Sequence, residues 1–514
     1  MSDPVKIELL PLGRQLLVPQ NTNLRDVLFS HGVEFPCGGR GRCKGCKVRV
    51  IAGDLPITPE DRLRFSEAEC QDGWRLSCCA RVSGVTPLKL ELAQWEANIL
   101  GDDSRFEFVP QQGWGVAVDL GTTTMVAQLL DLATGTVLGV NSALNPQAQH
   151  GGDIMSRIEF AVAEGGHAVL QKLVRDHIGD LIQTLLEKAA GNRHPLRKIV
   201  IVGNTVMHHI FCGIDLDPLS HYPFEPQNSG LQLFEAVQLG WDFAAPATVA
   251  FLPCMGSFVG SDILAGVLAT RLHESSGLNA LIDLGTNGEI VVGNAASMLC
   301  TSTAAGPAFE GARISVGMRA STGAISEVLI ENGTLRCSTI GNGPARGICG
   351  SGLVDAVASG LDLGMLKPTG RLSNGQSLPL TGTIALNQWD IRELQLAKGA
   401  IAAGLRILLE EWGATLDDLG TIHLAGAFGN YINYASARRI GLLDFPQEKV
   451  AASGNTALAG AKMALFASTL EDWHYRDLLS RVRHVSLNET PRFQDIFVEN
   501  MSFPEQSCCF GKRA

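Results

Sequence analysis

The chain has 514 residues, which is too long for one compact core and predicts three or four domains. Its composition, 45% hydrophobic and 18% charged, is typical of a folded protein and excludes extensive disorder. A formal net charge of -11, without a long basic block, argues against nucleic acid as a partner.

The N-terminal residues lack the pattern of a signal peptide, and no apolar run reaches the length of about 18 residues that a membrane-spanning helix needs. We therefore expect a cytoplasmic protein without a membrane partner. The chain contains 13 cysteines. Without an export signal, they favour metal ligation or incidental core use over a disulfide scaffold.

A cysteine-rich loop marks the first predicted domain, residues 1–93. Cys37, Cys43 and Cys46 follow the spacing C-x5-C-x2-C, and Cys78 follows about thirty residues later. Four thiolates in this arrangement fit a 2Fe-2S cluster. Zinc is the alternative, but structural zinc sites more often use two C-x2-C pairs, and only Cys43 and Cys46 have that spacing.

The cysteine framework resembles that of plant-type and adrenodoxin-like ferredoxins. The order G-W-R-L-x-C ends at Cys78 and matches these domains there, so the resemblance assigns the fourth ligand to Cys78. Its neighbour Cys79 is interpreted as a packing residue.

Residues 94–113 have no sustained period and contain several turn residues, which predicts a linker. After the linker, Asp119-Leu120-Gly121-Thr122-Thr123-Thr124 stands between two apolar runs. This pattern predicts a strand, a phosphate-facing turn and a second strand. Gly121 lets backbone amides approach an anion, the threonines supply hydroxyls, and Asp119 can hold a hydrated Mg²⁺ ion.

The same pattern returns at Asp283-Leu284-Gly285-Thr286-Asn287, again between apolar runs. A repeat of this kind indicates two similar halves facing one ligand. We predict these halves over residues 114–278 and 279–514. The alternative is that both turns are ordinary glycine turns of an α/β protein.

Two further glycine-rich turns are candidate nucleotide contacts. Gly350-Ser351-Gly352 has the form of a helix start whose free amides face an anion, although tight helix packing explains it equally well. Gly426-Ala427-Phe428 follows an apolar strand and is a candidate site for the base. Two D-L-G-T turns and a late A-G-A-F-G turn resemble the phosphate and adenosine motifs of the superfamily of sugar kinases, heat-shock ATPases and actin.

His208 and His209 are adjacent in an apolar segment. Neighbours on a helix point about 100° apart, and no carboxylate or thiol nearby has ligand spacing, so a structural or partner-facing role is favoured over metal binding.

The cysteine loop joined to this nucleotide-binding body resembles the ATP-dependent reductive activators of corrinoid proteins. Further matching text includes Asn145-Pro146-Gln147, Ser156-Arg157-Ile158 and Arg439-Ile440-Gly441-Leu442-Leu443. The resemblance implies an α/β multidomain fold. It consists of an N-terminal β-grasp ferredoxin domain, a linker, and duplicated ribonuclease-H-like halves of the actin-like ATPase type.

The resemblance also implies an activity. The chain would pass one electron from an external low-potential donor through its cluster to a corrinoid-binding protein of a methyltransferase system, converting Co(II) to Co(I) with ATP and Mg²⁺. The catalytic residues would be Asp119 and Asp283. A ferredoxin-like protein whose actin-like body only docks a partner is the alternative, against which both retained aspartates argue.

The sequence leaves several points open. They are the corrinoid protein and methyl donor served, the electron donor, whether ATP is hydrolysed or only bound, whether the chain forms a homodimer, and the role of Cys508 and Cys509.

Overall fold

The computed structural model describes residues 4–28, 31, 33, 39, 41, 44, 46–83, 86–92, 106–189, 194–311, 313–467 and 473–505. The chain forms two compact units. The first combines residues 1–271 with 455–482, and the second combines residues 272–454 with 483–514. None of the helices in the described part of the chain combines the length and apolar character that a bilayer crossing requires.

The N-terminal part of the first unit is a mixed sheet in the order β2-β1-β5-β3-β4. Its strands are β1 (Val5–Leu10), β2 (Arg14–Val18), β3 (Lys47–Ala52), β4 (Trp74–Leu76) and β5 (Leu88–Leu92). The alternating burial of β1 and β5 places one apolar face against the core. The parallel pair β1–β5 lies at the centre, with antiparallel neighbours on both sides, which is the β-grasp arrangement.

Three short helices accompany this sheet: α1 (Leu24–Leu28), α2 (Pro59–Arg64) and α3 (Glu67–Gln71). The side chains of Thr58 and Ser66 cap α2 and α3. The carboxylates of Asp61 and Glu69, the third residue of each helix, accept hydrogen bonds from the backbone amides of these caps. These reciprocal bonds fix where the helices begin.

The rest of the first unit is built on a sheet in the order β10-β11-β9-β6-β7-β8. Its strands are β6 (Trp114–Leu120), β7 (Thr124–Asp131), β8 (Val137–Leu144), β9 (Leu196–Gly203), β10 (Gln232–Glu235) and β11 (Thr248–Phe251). Strands β6, β7 and β8 form an antiparallel meander, whereas β6, β9 and β11 are parallel. Its helices are α4 (Ile154–Ala163), α5 (His167–Lys188), α6 (Thr205–Cys212), α7 (Asp217–Ser220), α8 (Ser261–Ala269), α13 (Thr456–Leu465) and α14 (Trp473–Ser480).

The second unit repeats this topology. Its main sheet has the order β21-β20-β12-β13-β14-β22, with β12, β13 and β14 antiparallel and β12, β20 and β21 parallel. The strands are β12 (Asn279–Leu284), β13 (Gly288–Gly293), β14 (Met298–Thr303), β20 (Ile422–Ala425), β21 (Val450–Gly454) and β22 (Val482–His484).

Two smaller sheets belong to the second unit, in the orders β16-β15-β17 and β18-β19. Their strands are β15 (Ala324–Glu331), β16 (Thr334–Thr339), β17 (Gly347–Ile348), β18 (Ser377–Thr381) and β19 (Ile384–Asn387). The helices are α9 (Gly350–Asp362), α10 (Gln388–Trp412), α11 (Gly426–Tyr431), α12 (Tyr434–Arg439) and α15 (Phe493–Glu499). The long helix α10 begins at a capping box formed by Asn387 and Asp390 and ends at Gly413, whose φ is 78°.

The two main sheets confirm the predicted duplication, since each has a three-stranded meander followed by parallel strands. The β-grasp domain is confirmed as well. The exact domain limits at residues 93, 113 and 278 stay predictions. The sequence did not anticipate that residues 455–482 fold with the first unit.

Candidate iron-sulfur and nucleotide sites

Two of the four predicted cluster ligands can be placed. Cys46 and Cys78 are both buried and interact with each other. The interaction with Cys46 is the largest cause, and burial the next, of a pKa of Cys78 that lies well above its usual range. The Gly41 amide donates to the same sulfur and lowers this pKa. Cys37 and Cys43 lie outside the described residues, and no group of three or more metal-binding side chains is found among those described.

These residues fit a 2Fe-2S cluster. Cluster ligation needs converging thiolates, and hydrogen bonds to the sulfur atoms tune the cluster. Gly41 has φ of 66°, and a Cβ atom there would lie 2.9 Å from Cys79 Sγ. The loop therefore depends on glycine to bring its amide to Cys78. Cys79 is half-buried, with its sulfur 3.6 Å from that of Cys78.

The first D-L-G-T turn joins β6 to β7, and Asp119 lies near the end of β6. Its Oδ2 accepts a hydrogen bond of 3.0 Å from Asn455 Nδ2. Burial raises the pKa of Asp119 to about 6, although the bond from Asn455 acts in the opposite direction. The amide of Gly121 donates to the carbonyl of Thr124 over 2.9 Å and closes the turn.

Two asparagines, Asn145 and Asn204, donate hydrogen bonds to the threonine turn. Asn145 Nδ2 donates to the carbonyl of Gly121 over 2.9 Å, and the Asn145 amide donates to the carbonyl of Thr123 over 2.9 Å. Asn204 Nδ2 donates to Thr122 Oγ1 over 2.8 Å. The turn is thus fixed at three successive residues.

The second D-L-G-T turn joins β12 to β13. The Gly285 amide donates to the carbonyl of Asn287 over 3.1 Å, which resembles the closure of the first turn. Thr286 Oγ1 donates to Glu310 Oε1 over 2.9 Å. Glu310 belongs to the loop after β14, so this loop is tied to the turn.

The late glycine turn meets the second D-L-G-T turn within the second unit. Strands β12 and β20 run parallel with Asp283 beside Ala425, so both turns leave the same edge of the sheet. A Cβ atom at Gly426, whose φ is 85°, would lie 2.9 Å from Asp283 Oδ1. Asp283, Gly285 and Gly426 therefore lie close together, and their roles in nucleotide binding stay predictions.

The other two predicted contacts are packed closely. Phe428 stacks on Phe309 with ring centroids 4.6 Å apart. A Cβ atom at Gly350 would lie 2.0 Å from the Phe309 carbonyl oxygen, and one at Gly352 would lie 2.2 Å from that of Ile325. This geometry accords with the packing interpretation of the Gly350-Ser351-Gly352 turn. Its nucleotide role stays a prediction.

Both histidines of α6 have structural roles. His208 Nε2 donates to the carbonyl of Gly230 over 3.1 Å, and His209 Nδ1 donates to that of Thr205 over 2.8 Å. Both rings are fully buried. Burial lowers the pKa of His208 to about 3, so this ring is neutral at neutral pH.

Sequence reasoning gave no role to Asn145, Asn204, Arg157 or Asn455. Asn145, Asn204 and Arg157 stood out only as parts of stretches that match the family. Asn455 is 336 residues from Asp119 in sequence, and no local pattern predicts their contact.

Three family models match successive parts of the chain. They are the 2Fe-2S iron-sulfur cluster binding domain at residues 7–83, the RACo middle region at 114–275, and the C-terminal domain of RACo, the ASKHA domain, at 278–512.

Relatives span most of the chain. Corrinoid activation enzyme RamQ of Eubacterium limosum is 34% identical over 451 residues, covering 79% of this chain and 74% of the relative. The Co(II) methylated amine-specific corrinoid protein reductase of Methanosarcina barkeri is 27% identical over 391 residues, covering 70% and 71%. A solved structure, titled reductive activator for corrinoid,iron-sulfur protein, superposes with a TM-score of 0.69 at 26% identity and covers 98% of both chains.

Proposed function

The chain belongs to the family of ATP-dependent reductive activators of corrinoid proteins, and we propose that it restores a corrinoid protein whose cobalt has reached the inactive Co(II) state. An external donor loses one electron and the cobalt gains it, which yields Co(I). ATP is converted to ADP and phosphate in the same cycle.

One observation carries this proposal. One chain contains both a β-grasp domain, in which Cys46 and Cys78 are in contact, and two sheets. In each sheet a D-L-G-T turn joins two antiparallel strands. The first feature serves electron transfer, and the second serves nucleotide binding. Neither a plain ferredoxin nor a small-molecule kinase has use for both.

The proposed residue roles follow from this division. Cys37, Cys43, Cys46 and Cys78 hold the 2Fe-2S cluster, which supplies a one-electron carrier. Asp119 and Asp283 hold the hydrated Mg²⁺ that accompanies ATP. The turn residues contact the nucleotide: Gly121, Thr122, Thr123, Thr124, Gly285, Thr286, Asn287, Gly350, Ser351, Gly352, Gly426, Ala427 and Phe428.

ATP is needed because the reduction is uphill. A coupling free energy of about 1–3 kcal/mol between two sites corresponds to about 40–130 mV for one electron. A conformational change of ordinary size therefore contributes a useful but modest driving force. We propose that selective recognition of the Co(II) form supplies the remainder, that the electron donor has a low potential, and that the protein works in the cytoplasm.

Reconstitution tests this function. The full chain, a low-potential donor, Mg²⁺-ATP and the Co(II) form of a corrinoid protein should together produce Co(I), measured by its absorption or by trapping with a methyl donor. Omission of ATP should reduce the yield strongly. Equal reduction without ATP, or by residues 1–95 alone, would favour the alternative in which the actin-like body only docks a partner.

Aspartate variants extend the same assay. Asp119→Ala and Asp283→Ala should each lower Mg²⁺-dependent ATP hydrolysis by about 10²-fold, the range seen when one positioned polar group is removed from an active site. Asp176→Ala, which removes an exposed aspartate of α5, is the matched control and should leave hydrolysis unchanged. Unchanged hydrolysis in both turn variants would show that the D-L-G-T turns are structural.

A further inference from the structure

A buried arginine lies directly behind the first phosphate turn. Arg157 projects from α4 and is fully buried. Its Nη2 donates to the carbonyl of Thr122, its Nε to the carbonyl of Gly151 over 3.0 Å, and its Nη1 to Gln147 Oε1 over 3.0 Å and to Met207 Sδ over 3.4 Å. Within the described part of the chain, all of these acceptors are neutral.

The bond to Thr122 completes the support of the turn. With Asn145 holding the carbonyls of Gly121 and Thr123, three successive carbonyl groups accept hydrogen bonds from the body of the first unit. In a trans peptide the carbonyl of one residue and the amide of the next point in opposite directions. Fixing these carbonyls inward therefore directs the amides of Thr122 and Thr123 away from the body, towards the side where an anion would bind.

Further hydrogen bonds extend the supporting network through Gln147. Gln147, which accepts from Arg157, donates through Nε2 to the carbonyl of Leu170 over 3.0 Å, and its amide is held by Asn145 Oδ1 over 3.0 Å. Arg157 and Asn145 thus belong to one hydrogen-bond network.

The charge of Arg157 is unusual for a core position. An isolated cation in the interior is unfavourable unless it is compensated. Burial lowers the pKa of Arg157 to about 9, while Asp153 opposes the shift, so the guanidinium is still protonated at neutral pH. A bound phosphate in front of the turn would supply the compensating negative charge.

We propose that Arg157 is the positioning residue of the nucleotide site: it orients the Thr122 and Thr123 amides towards the phosphates of ATP and places a buried positive charge behind them. This inference rests on the proposed function, because it assumes that the first D-L-G-T turn binds a phosphate chain. Arg157 acts through the turn and does not contact the nucleotide.

A merely structural arginine predicts a different result. If Arg157 only stabilised the fold, its loss would weaken the binding of adenosine and of ATP alike, or would lower thermal stability alone. A positioning role for the phosphates predicts a loss that depends on the phosphate chain. The ratio of adenosine to ATP affinity therefore distinguishes the two roles.

The experiment measures dissociation constants of ATP, ADP and adenosine, with Mg²⁺, for the full cluster-loaded chain and two variants. Arg157→Met should weaken ATP and ADP by about tenfold and leave adenosine within twofold, because one charged hydrogen-bonding group is lost from the phosphate support. Arg157→Lys should fall between, since lysine keeps the charge but lacks the planar fork that reaches several acceptors. In steady state, KM for ATP should rise more than kcat falls.

Arg175→Met is the matched control. Arg175 lies on α5 in the same unit, is half-buried, and donates through Nε to the carbonyl of Phe211 over 2.8 Å. Its removal should leave all three affinities within twofold. Circular dichroism and the cluster absorption establish that each variant is folded. If Arg157→Met does not fold, the lysine variant still has to show the phosphate-specific loss.

Two results would overturn the proposal. They are an unchanged ratio of ATP to adenosine affinity in both Arg157 variants, whether the affinities stay the same or fall equally, and the same phosphate-specific loss in Arg175→Met. A parent chain that binds adenosine and ATP equally weakly would instead refute the nucleotide function itself, which the same titrations reveal before any variant is compared.

Discussion

Adjacent cysteines at the end of the G-W-R-L-x-C segment have different surroundings. Cys78 is 4% exposed and touches Cys46, whereas Cys79 is half-buried and faces the space beside Gly41. The two sulfur atoms lie 3.6 Å apart, and Cys78 is the one that interacts with Cys46. The geometry favours Cys78 as the fourth ligand.

Serine substitutions test this choice of ligand. Cys78→Ser, like serine at Cys37, Cys43 or Cys46, should abolish the charge-transfer absorption and reduce the iron content from about two per chain. Cys79→Ser should keep both, and it is the matched control because it makes the same chemical change one residue away. Loss of the cluster in Cys79→Ser, with retention in Cys78→Ser, would reverse the assignment.

Helix α6 shows how one element combines packing with a polar network. Its N-cap, Asn204, holds the Met207 amide over 3.0 Å and also reaches Thr122 of the phosphate turn. The remaining residues are almost entirely buried, and His208 contacts Phe251 of β11 in a T-shaped arrangement with centroids 4.9 Å apart. The helix therefore connects the core of the first unit to its turn.

The buried His208 predicts an acid-sensitive first unit. Its pKa is about 3 in the folded chain and 6.5 in the reference state, so between these values the unfolded chain binds more protons and stability falls as pH falls. From pH 7 to pH 5.5 this histidine should remove about 1 kcal/mol of unfolding free energy. Urea unfolding followed by tryptophan fluorescence measures the change.

His208→Gln should flatten this pH dependence, because glutamine keeps a donor for the Gly230 carbonyl but does not titrate. His221→Gln removes an exposed histidine and should preserve the parental slope. An identical slope in the parent and in His208→Gln would contradict the buried neutral histidine.

Across the whole molecule, local sequence patterns were recognisable, whereas contacts between residues distant in sequence were not. The cysteine spacing and the two D-L-G-T turns could be recognised in the sequence because their pattern is local: glycine, aspartate and thiol at fixed spacing. The individual ligand and nucleotide contacts stay predictions. The contacts of Arg157 and Asn455 with the first turn could not be predicted, because these residues are separated from their partners by 35 and 336 positions in the sequence.

The return of the chain to the first unit at residues 455–482 is a second feature that the sequence did not predict. A Cβ atom at Gly460 of α13 would lie 2.0 Å from the Ala265 carbonyl oxygen of α8, so these helices pack at a position that only glycine allows. Close helix contact of this kind has no periodic signature in the sequence. The first unit is therefore incomplete without residues 455–482, and a fragment ending at residue 278 should not fold properly.

The connection between the β-grasp domain and the actin-like body carries the last prediction. From Phe106 onwards the chain packs against the actin-like body. The rings of Phe106 and Phe108 contact Phe466, with centroids 5.5 and 4.3 Å from its ring. Gln111 Nε2 donates a hydrogen bond to the Phe466 carbonyl. The last strand of the β-grasp sheet ends at Leu92. Covalent connection keeps the two parts at an effective concentration of about 1 mM even when the protein is dilute.

Cutting the chain at a protease site inserted between residues 93 and 105 should therefore lower Co(I) production by about 10²–10³-fold at micromolar protein, the ratio of effective to actual concentration. The uncut insertion variant is the control, and ATP hydrolysis and cluster absorption should survive the cut. Adding back the β-grasp fragment at millimolar concentration should restore the rate, because the electron transfer step becomes bimolecular. An undiminished rate after cutting would show that noncovalent contacts, rather than the covalent connection, keep the β-grasp domain at its working position.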